Sequence, residues 1–163
     1  MNIIVEKYFL SYKGYKLKCS VGKLGLTYSK KEGDLRTPKG LFKLGMLYYR
    51  KDKIKLSKCL IKKRIIKKNM GWCNDSKNKK YNQEISFPFK YSAERLYRKD
   101  NLYDIFINIK YNYFPIVKGR GSAIFLHLID KKYKSTSGCI GIRKRDFLKI
   151  LPLINRKTKI LIK

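Results

Sequence analysis

Apolar residues in this chain fall into short runs bounded by turn formers, a pattern that predicts strands. Ile3 to Leu10 and Tyr15 to Val21 read as two such strands, joined through Ser11-Tyr12-Lys13-Gly14 as a hairpin with glycine at the turn. Gly22, Gly25, Gly33, Pro38 and Gly40 punctuate the next segment and predict turns and loops with little regular structure. Tyr48 to Lys68 is lysine-rich with scattered Ile and Leu, and the pattern does not decide between a strand pair and a short helix. Trp72 to Tyr91 is polar, aromatic and rich in Asn, which predicts a long surface loop, one use of which is to cover a site.

Farther along, Asp104 to Lys110 and Ala123 to Ile129 are rich in β-branched and apolar residues and predict buried strands. Asp146 to Leu151 has helical spacing that Pro152 limits, and Lys159 to Ile162 closes the chain as a strand. The balance is a mostly β fold with one or two short helices and a long middle loop. A single domain over residues 1–163 is expected, because a chain of this size buries roughly 68–70% of its unfolded surface and so builds its own core.

Charge changes the picture. Against 11 acidic residues stand 41 Lys and Arg, a formal net charge of +30. Such a field raises encounter with any polyanion, whether nucleic acid, acidic wall polymer or anionic lipid, without choosing among them. The abundance of Lys, Ile, Asn and Tyr is also what AT-rich coding produces. No basic helix, zinc-finger spacing or RNP-like motif accompanies the charge, so no specific nucleic-acid partner is expected. No run approaches the ~20 apolar residues of a membrane span. Charged Glu6 and Lys7 interrupt what would be the apolar region of a signal peptide, so no secretory signal is expected.

Candidate chemistry is narrow. The four cysteines, Cys19, Cys59, Cys73 and Cys139, lack C-x-x-C spacing, and there is one histidine, so neither a metal nor a cofactor is expected. The spacing leaves open a disulfide among Cys19, Cys59 and Cys73. His127 sits within the apolar run Ala123 to Ile129, and Ser135-Thr136-Ser137-Gly138-Cys139-Ile140-Gly141-Ile142 follows, with the cysteine 12 residues after the histidine. A strand, a loop and the start of a second strand would bring the two together. Thiol catalysis runs through the thiolate, and an adjacent imidazole supplies it by taking the proton. The bland alternative is a hydrogen-bonded core histidine and an inert buried thiol.

In order, these segments resemble the L,D-transpeptidase catalytic domain of the YkuD type. Glu32-Gly33-Asp34-Leu35-Arg36-Thr37-Pro38-Lys39-Gly40-Leu41-Phe42 is similar to that family's E-G-D-x-x-T-P-x-G-x-F segment. Gly71-Trp72-Cys73-Asn74-Asp75, Tyr81-Asn82, Ser92-Ala93-Glu94-Arg95-Leu96 and Gly119-Arg120-Gly121-Ser122-Ala123 resemble its single-domain, signal-peptide-free members. The likeness runs from about Cys19 to the C-terminus. In the commoner signature a second histidine stands where this chain has Ser137, and an arginine where it has Gly141.

The resemblance implies a β-sandwich-like domain acting on peptidoglycan stem peptides. His127 would be the base and Cys139 the nucleophile, passing through a thioester to a 3→3 cross-link, or to L,D-carboxypeptidase products with water as acceptor. The Gly138 and Cys139 amides are candidate oxyanion donors, and a carbonyl of the Ser135 to Gly138 loop, Ser137 included, is the candidate to orient the imidazole. Arg120 and Arg143 are candidates to hold a substrate carboxylate. Trp72 and Tyr81 are candidates to line the groove, with core packing the equal alternative. Rival readings are another cysteine peptide hydrolase of this fold and a polyanion-binding protein on an inactive scaffold. The family likeness implies a cell-envelope or periplasmic location; the N-terminus leaves the cytoplasm open.

Overall fold

The protein was analysed as a computed structural model, which describes every residue except Ser57. Among the described residues fourteen strands are laid down in chain order: β1 (Ile3–Val5), β2 (Phe9–Tyr12), β3 (Tyr15–Lys18), β4 (Leu26–Thr27), β5 (Thr37–Pro38), β6 (Gly40–Tyr49), β7 (Lys63–Ile65), β8 (Met70–Cys73), β9 (Glu84–Ser86), β10 (Ala93–Arg95), β11 (Ile105–Ile109), β12 (Phe125–Leu128), β13 (Ile140–Ile142) and β14 (Lys159–Ile162). The one α-helix among the described residues, α1 (Lys144–Ile150), lies between β13 and β14 and runs into a 3-10 turn, Leu151–Leu153, that contains Pro152. Proline lacks the N–H that continuing the α-helix requires, so the change of helix type falls at Pro152.

Eight strands follow one another in the main sheet in the order β13-β12-β11-β6-β14-β1-β2-β3, with β7 added to β6. The sheet is mixed: β12 pairs β13 in parallel, as β1 pairs β14, while β11 pairs both β12 and β6 antiparallel. Ser20, just past β3, exchanges two backbone hydrogen bonds of 2.9 Å with Gly141 of β13, drawing the ends of the sheet toward each other. The result is a mostly β, nearly closed sheet with one α-helix among the described residues.

Parity along the strands explains two cores. Ile105, Ile107 and Ile109 of β11, with Leu126 and Leu128 of β12, point into the main apolar core alongside Ile140, Ile142 and Phe147. The alternate residues, Phe106 and Phe125, point the other way, into a second cluster with Tyr48, Trp72, Tyr103 and Leu96. Both faces of β11 and β12 are thus covered, which is why these strands read as near-continuous apolar runs.

Three expectations change. The run Ile3 to Leu10 folds back on itself, because Glu6, Lys7 and Tyr8 are exposed and form the turn between β1 and β2. The β2–β3 turn holds only Lys13 and Gly14, both at positive φ (44° and 83°), the conformation that matches the strands' twist. Trp72 to Tyr91 is no long surface loop. Within and beside it β8, β9 and β10 form a three-stranded sheet in the order β10-β8-β9, and all four residues of β8 are buried. Its polar residues make the turns, while Met70 and Trp72 cap the second core. The undecided stretch Tyr48 to Lys68 contributes the end of β6 and the strand β7; Ser57 within it lies outside the described residues.

Phe106 is fully buried, stacked on Tyr48 at 4.8 Å and tilted against Phe125 at 4.6 Å between ring centroids. Phe106→Ala should therefore lower unfolding free energy by about 3–5 kcal/mol in urea titrations. Leu41→Ala, at a side chain 50% exposed, should stay within about 0.5 kcal/mol of wild type.

Candidate active site

The parallel register of β12 and β13 pairs Leu126 with Ile140 and His127 with Gly141. Because side chains alternate, His127 lies on the same face as Phe125, and Cys139, one residue before Ile140, falls beside Phe125 on that face. The hydrogen bonds agree: the Phe125 N–H donates to Cys139 Sγ at 3.4 Å, and the thiol donates to the Ala123 carbonyl at 3.1 Å. Histidine and cysteine therefore share the floor of one cleft of about 1290 Å³.

His127 is buried, and its Nδ1 lies 2.6 Å from the carbonyl of Leu128. A carbonyl only accepts, so Nδ1 carries the proton and Nε2 is left as the basic nitrogen. The orienting carbonyl is the next residue on the same strand; the expected Ser135 to Gly138 loop does not supply it. Burial holds the imidazole down to about 4 and pushes the Cys139 thiol up to about 12, even though Cys139 keeps some exposure to the cleft. The resting pair is consequently a neutral thiol and a neutral imidazole. Chemistry through a thiolate requires that this proton be removed first.

The loop before Cys139 is fixed by one hydroxyl. Thr136 Oγ1 accepts from the Gly138 N–H at 3.1 Å and donates to the Cys139 carbonyl at 2.6 Å. Gly138 takes φ 145°, and a Cβ there would sit 2.9 Å from the Arg36 carbonyl, so only glycine fits. Gly138 and Ser137 both line the cleft.

The Asn82 side chain holds the thiol's acceptor in place. Ala123 has φ 52°, unusual for a residue with a Cβ, and its N–H donates to Asn82 Oδ1 at 3.0 Å. The same Oδ1 accepts from Trp72 Nε1 at 2.9 Å, while Asn82 Nδ2 donates to the carbonyls of Asn112 (2.8 Å) and Tyr111 (3.2 Å). Trp72 thus stands behind Ala123, in the core. Tyr81 is 1% exposed; its hydroxyl bonds Glu32 and accepts from the Gly121 N–H at 2.9 Å. Arg120 is exposed, and the Arg143 guanidinium lies 4.7 Å from the Tyr133 ring. None of Trp72, Tyr81, Arg120 and Arg143 is among the described residues lining the cleft.

Sequence reading overlooked Tyr103 and gave Glu94 no role. The Tyr103 ring packs edge-on against His127 at 5.4 Å and Phe125 at 5.7 Å, and its hydroxyl donates to Glu94 Oε1 at 2.7 Å. Both line the cleft. Burial raises Glu94 above the usual carboxylate range. Glu94 lay within a segment quoted for its family likeness, whereas Tyr103 sits in a turn where no periodicity marks it.

All four cysteines are free, Cys19 and Cys73 buried, so the disulfide left open above is not formed. Among the described residues no group of three or more His, Cys, Asp or Glu side chains is placed to hold a metal ion, and no helix is long and apolar enough to cross a membrane.

A cysteine and a histidine on one face of a mostly β, nearly closed sheet define the class of site, and comparison defines the family. The L,D-transpeptidase catalytic domain model, YkuD, matches residues 7–162, and the chain belongs to that family. Among solved structures, Bd1075 of Bdellovibrio bacteriovorus is similar over 99% of this chain and 47% of its own, at 18% identity and a TM-score of 0.55, a likeness of fold. An L,D-transpeptidase from Mycobacterium smegmatis aligns over 99% of this chain and 56% of its own, at 10% identity and a TM-score of 0.45. The chain spans about half the length of these structures. No curated protein matches.

The depressed His127 has a signed consequence. Unfolded imidazole binds a proton near 6.5, folded His127 only near 4. Its contribution to stability is therefore whole above about pH 6.5 and is lost as pH falls toward 4, by about 3 kcal/mol. Urea unfolding of wild type and His127→Gln at pH 7, 5.5 and 4 should show wild type losing that much more stability than the variant.

Proposed function

We propose that this chain transfers acyl groups of peptidoglycan stem peptides through a Cys139 thioester, with His127 as base. The observation that carries the reading is the placement of both side chains on one face of the β12–β13 pair, at the floor of an open cleft. Family membership supports the class of chemistry.

In this mechanism the incoming stem fills the cleft above the sulfur, and the thiol turns from Ala123 toward Nε2 of His127. The thiolate attacks the carbonyl of the third stem residue. Negative charge develops on that oxygen, and the Cys139 amide is the donor we assign to it, since the Gly138 N–H is engaged by Thr136. His127 then protonates the departing amine of the terminal D-alanine, leaving the thioester. An amine from a second stem attacks that carbonyl, the C–S bond breaks, and the sulfur regains its proton. Water in place of the amine gives the carboxypeptidase outcome. Such a substrate lies in the cell envelope, and the +30 charge favours approach to its acidic polymers.

Mass spectrometry of disaccharide-tetrapeptides incubated with wild type and with Cys139→Ala tests the reading. A dimer formed with loss of D-alanine by wild type alone is the expected result, and the variant should fall by at least about 10³-fold. Tripeptide without dimer would show a hydrolase. Undiminished turnover by the variant would overturn the cysteine mechanism, and salt-sensitive polyanion binding without turnover by either protein would favour an inactive scaffold.

A further inference from the structure

Charge is distributed unevenly over this protein. Five of its 11 acidic residues, Glu32, Glu94, Asp100, Asp104 and Asp130, line the cleft, against five of its 41 basic ones. A chain of net charge +30 thus presents a cleft whose charged side chains balance in number. A cationic reactant repelled elsewhere meets no such barrier there.

Within the cleft Glu94 stands beside the reacting pair. Tyr103, which donates to Glu94, packs edge-on against the His127 ring, and Glu94, Tyr103, His127 and Cys139 all line the same cleft. Glu94 is held by two contacts: the Tyr103 hydroxyl at 2.7 Å and, more loosely, Arg98 Nη1 at 3.7 Å, both on Oε1. Arg98 is committed to Asp100, whose carboxylate it grips through Nε and Nη2. Oε2 carries neither contact. Of the other charged groups acting on Glu94, Asp100 and Glu32 favour its protonated form and Arg98 its ionised one, while burial makes it a stronger base than a surface carboxylate.

Building on the acyl-transfer reading above, we propose that Glu94 is the acceptor site: its free oxygen binds the ammonium of the incoming primary amine and takes the proton that makes it nucleophilic. Tyr103 is the positioning residue that aims this carboxylate. The proton balance closes. The ammonium gives one proton to Glu94, which passes it to solvent. The free amine attacks the thioester carbonyl, its second proton moves through His127 to the leaving sulfur, and amide and thiol result. Water needs no counter-ion to enter, so Glu94 sets the partition between transfer and hydrolysis.

Two amines separate this role from a structural one. Ethylamine is an ammonium at neutral pH and needs Glu94; hydroxylamine is largely uncharged there and does not. The acyl-enzyme of wild type and of Glu94→Gln, formed on a tetrapeptide donor and followed by intact mass, is mixed with each amine. The amide-to-acid product ratio with ethylamine should fall about tenfold or more in the variant, while hydroxylamine discharges both acyl-enzymes within about twofold. Glu94→Asp should recover part of the ethylamine ratio. An unchanged ethylamine ratio, or an equal loss with both amines, overturns the proposal. So does a failure of Glu94→Gln to acylate when wild type does, since that places Glu94 in the first half-reaction. If wild type itself forms no acyl-enzyme, the acyl-transfer reading fails and this inference with it.

Discussion

The whole candidate site hangs on the parallel pairing of β12 with β13. Register decides faces in a sheet, and a slip of one residue would send Cys139 into the main core while His127 stayed on the opposite face, beside Tyr103. The register is pinned from several sides. Leu126 and Ile140 pack fully buried in the main core, and the paired hydrogen bonds between Ser20 and Gly141 tie β13 to the far end of the sheet. Nearness of the two residues in sequence counts for little beside this parity.

The second constraint is dryness. An imidazole and a thiol set among Phe106, Phe125, Trp72 and Tyr103 are both held in their neutral forms, so the site does not carry a standing ion pair. Polar order is supplied by backbone and amide groups: the Leu128 carbonyl for the imidazole, the Ala123 carbonyl for the thiol, and a buried Asn82 whose Oδ1 holds the Ala123 N–H while its Nδ2 is anchored on the Asn112 and Tyr111 carbonyls. A buried asparagine so fully bonded fixes one geometry, and leaving any of its partners unmatched would carry the penalty of an unsatisfied polar group.

Much of this could be read from the sequence, for physical reasons that also show where reading fails. Strands β11, β12 and β14 and helix α1 follow from unbroken or periodic apolar runs. His127 and Cys139 stood out because each sits in such a run beside a glycine-bearing turn. The three-stranded sheet was hidden: β8 is buried on both faces by residues distant in sequence, so Met70, Gly71, Trp72 and Cys73 show no alternation. The same long-range packing misleads for Trp72 and Tyr81, whose aromatic character suggests a groove but whose polar atoms are committed to Asn82, Glu32 and Gly121. Tyr103 and Glu94 meet only through tertiary folding, and the carbonyls of Ala123 and Leu128 are backbone groups, which no residue type announces.

The bond between the Cys139 thiol and the Ala123 carbonyl also bears on how the protein ages. Peroxide, like a substrate carbonyl, is attacked by thiolate and hardly at all by thiol. A sulfur whose proton is held by a backbone carbonyl and whose ionised form is disfavoured by its surroundings is therefore a poor target for oxidants during idle time. Under the acyl-transfer reading proposed above, reactivity toward the substrate and resistance to oxidative loss, usually opposed in a cysteine enzyme, are separated in time, the sulfur being exposed to oxidants only while the cleft is occupied.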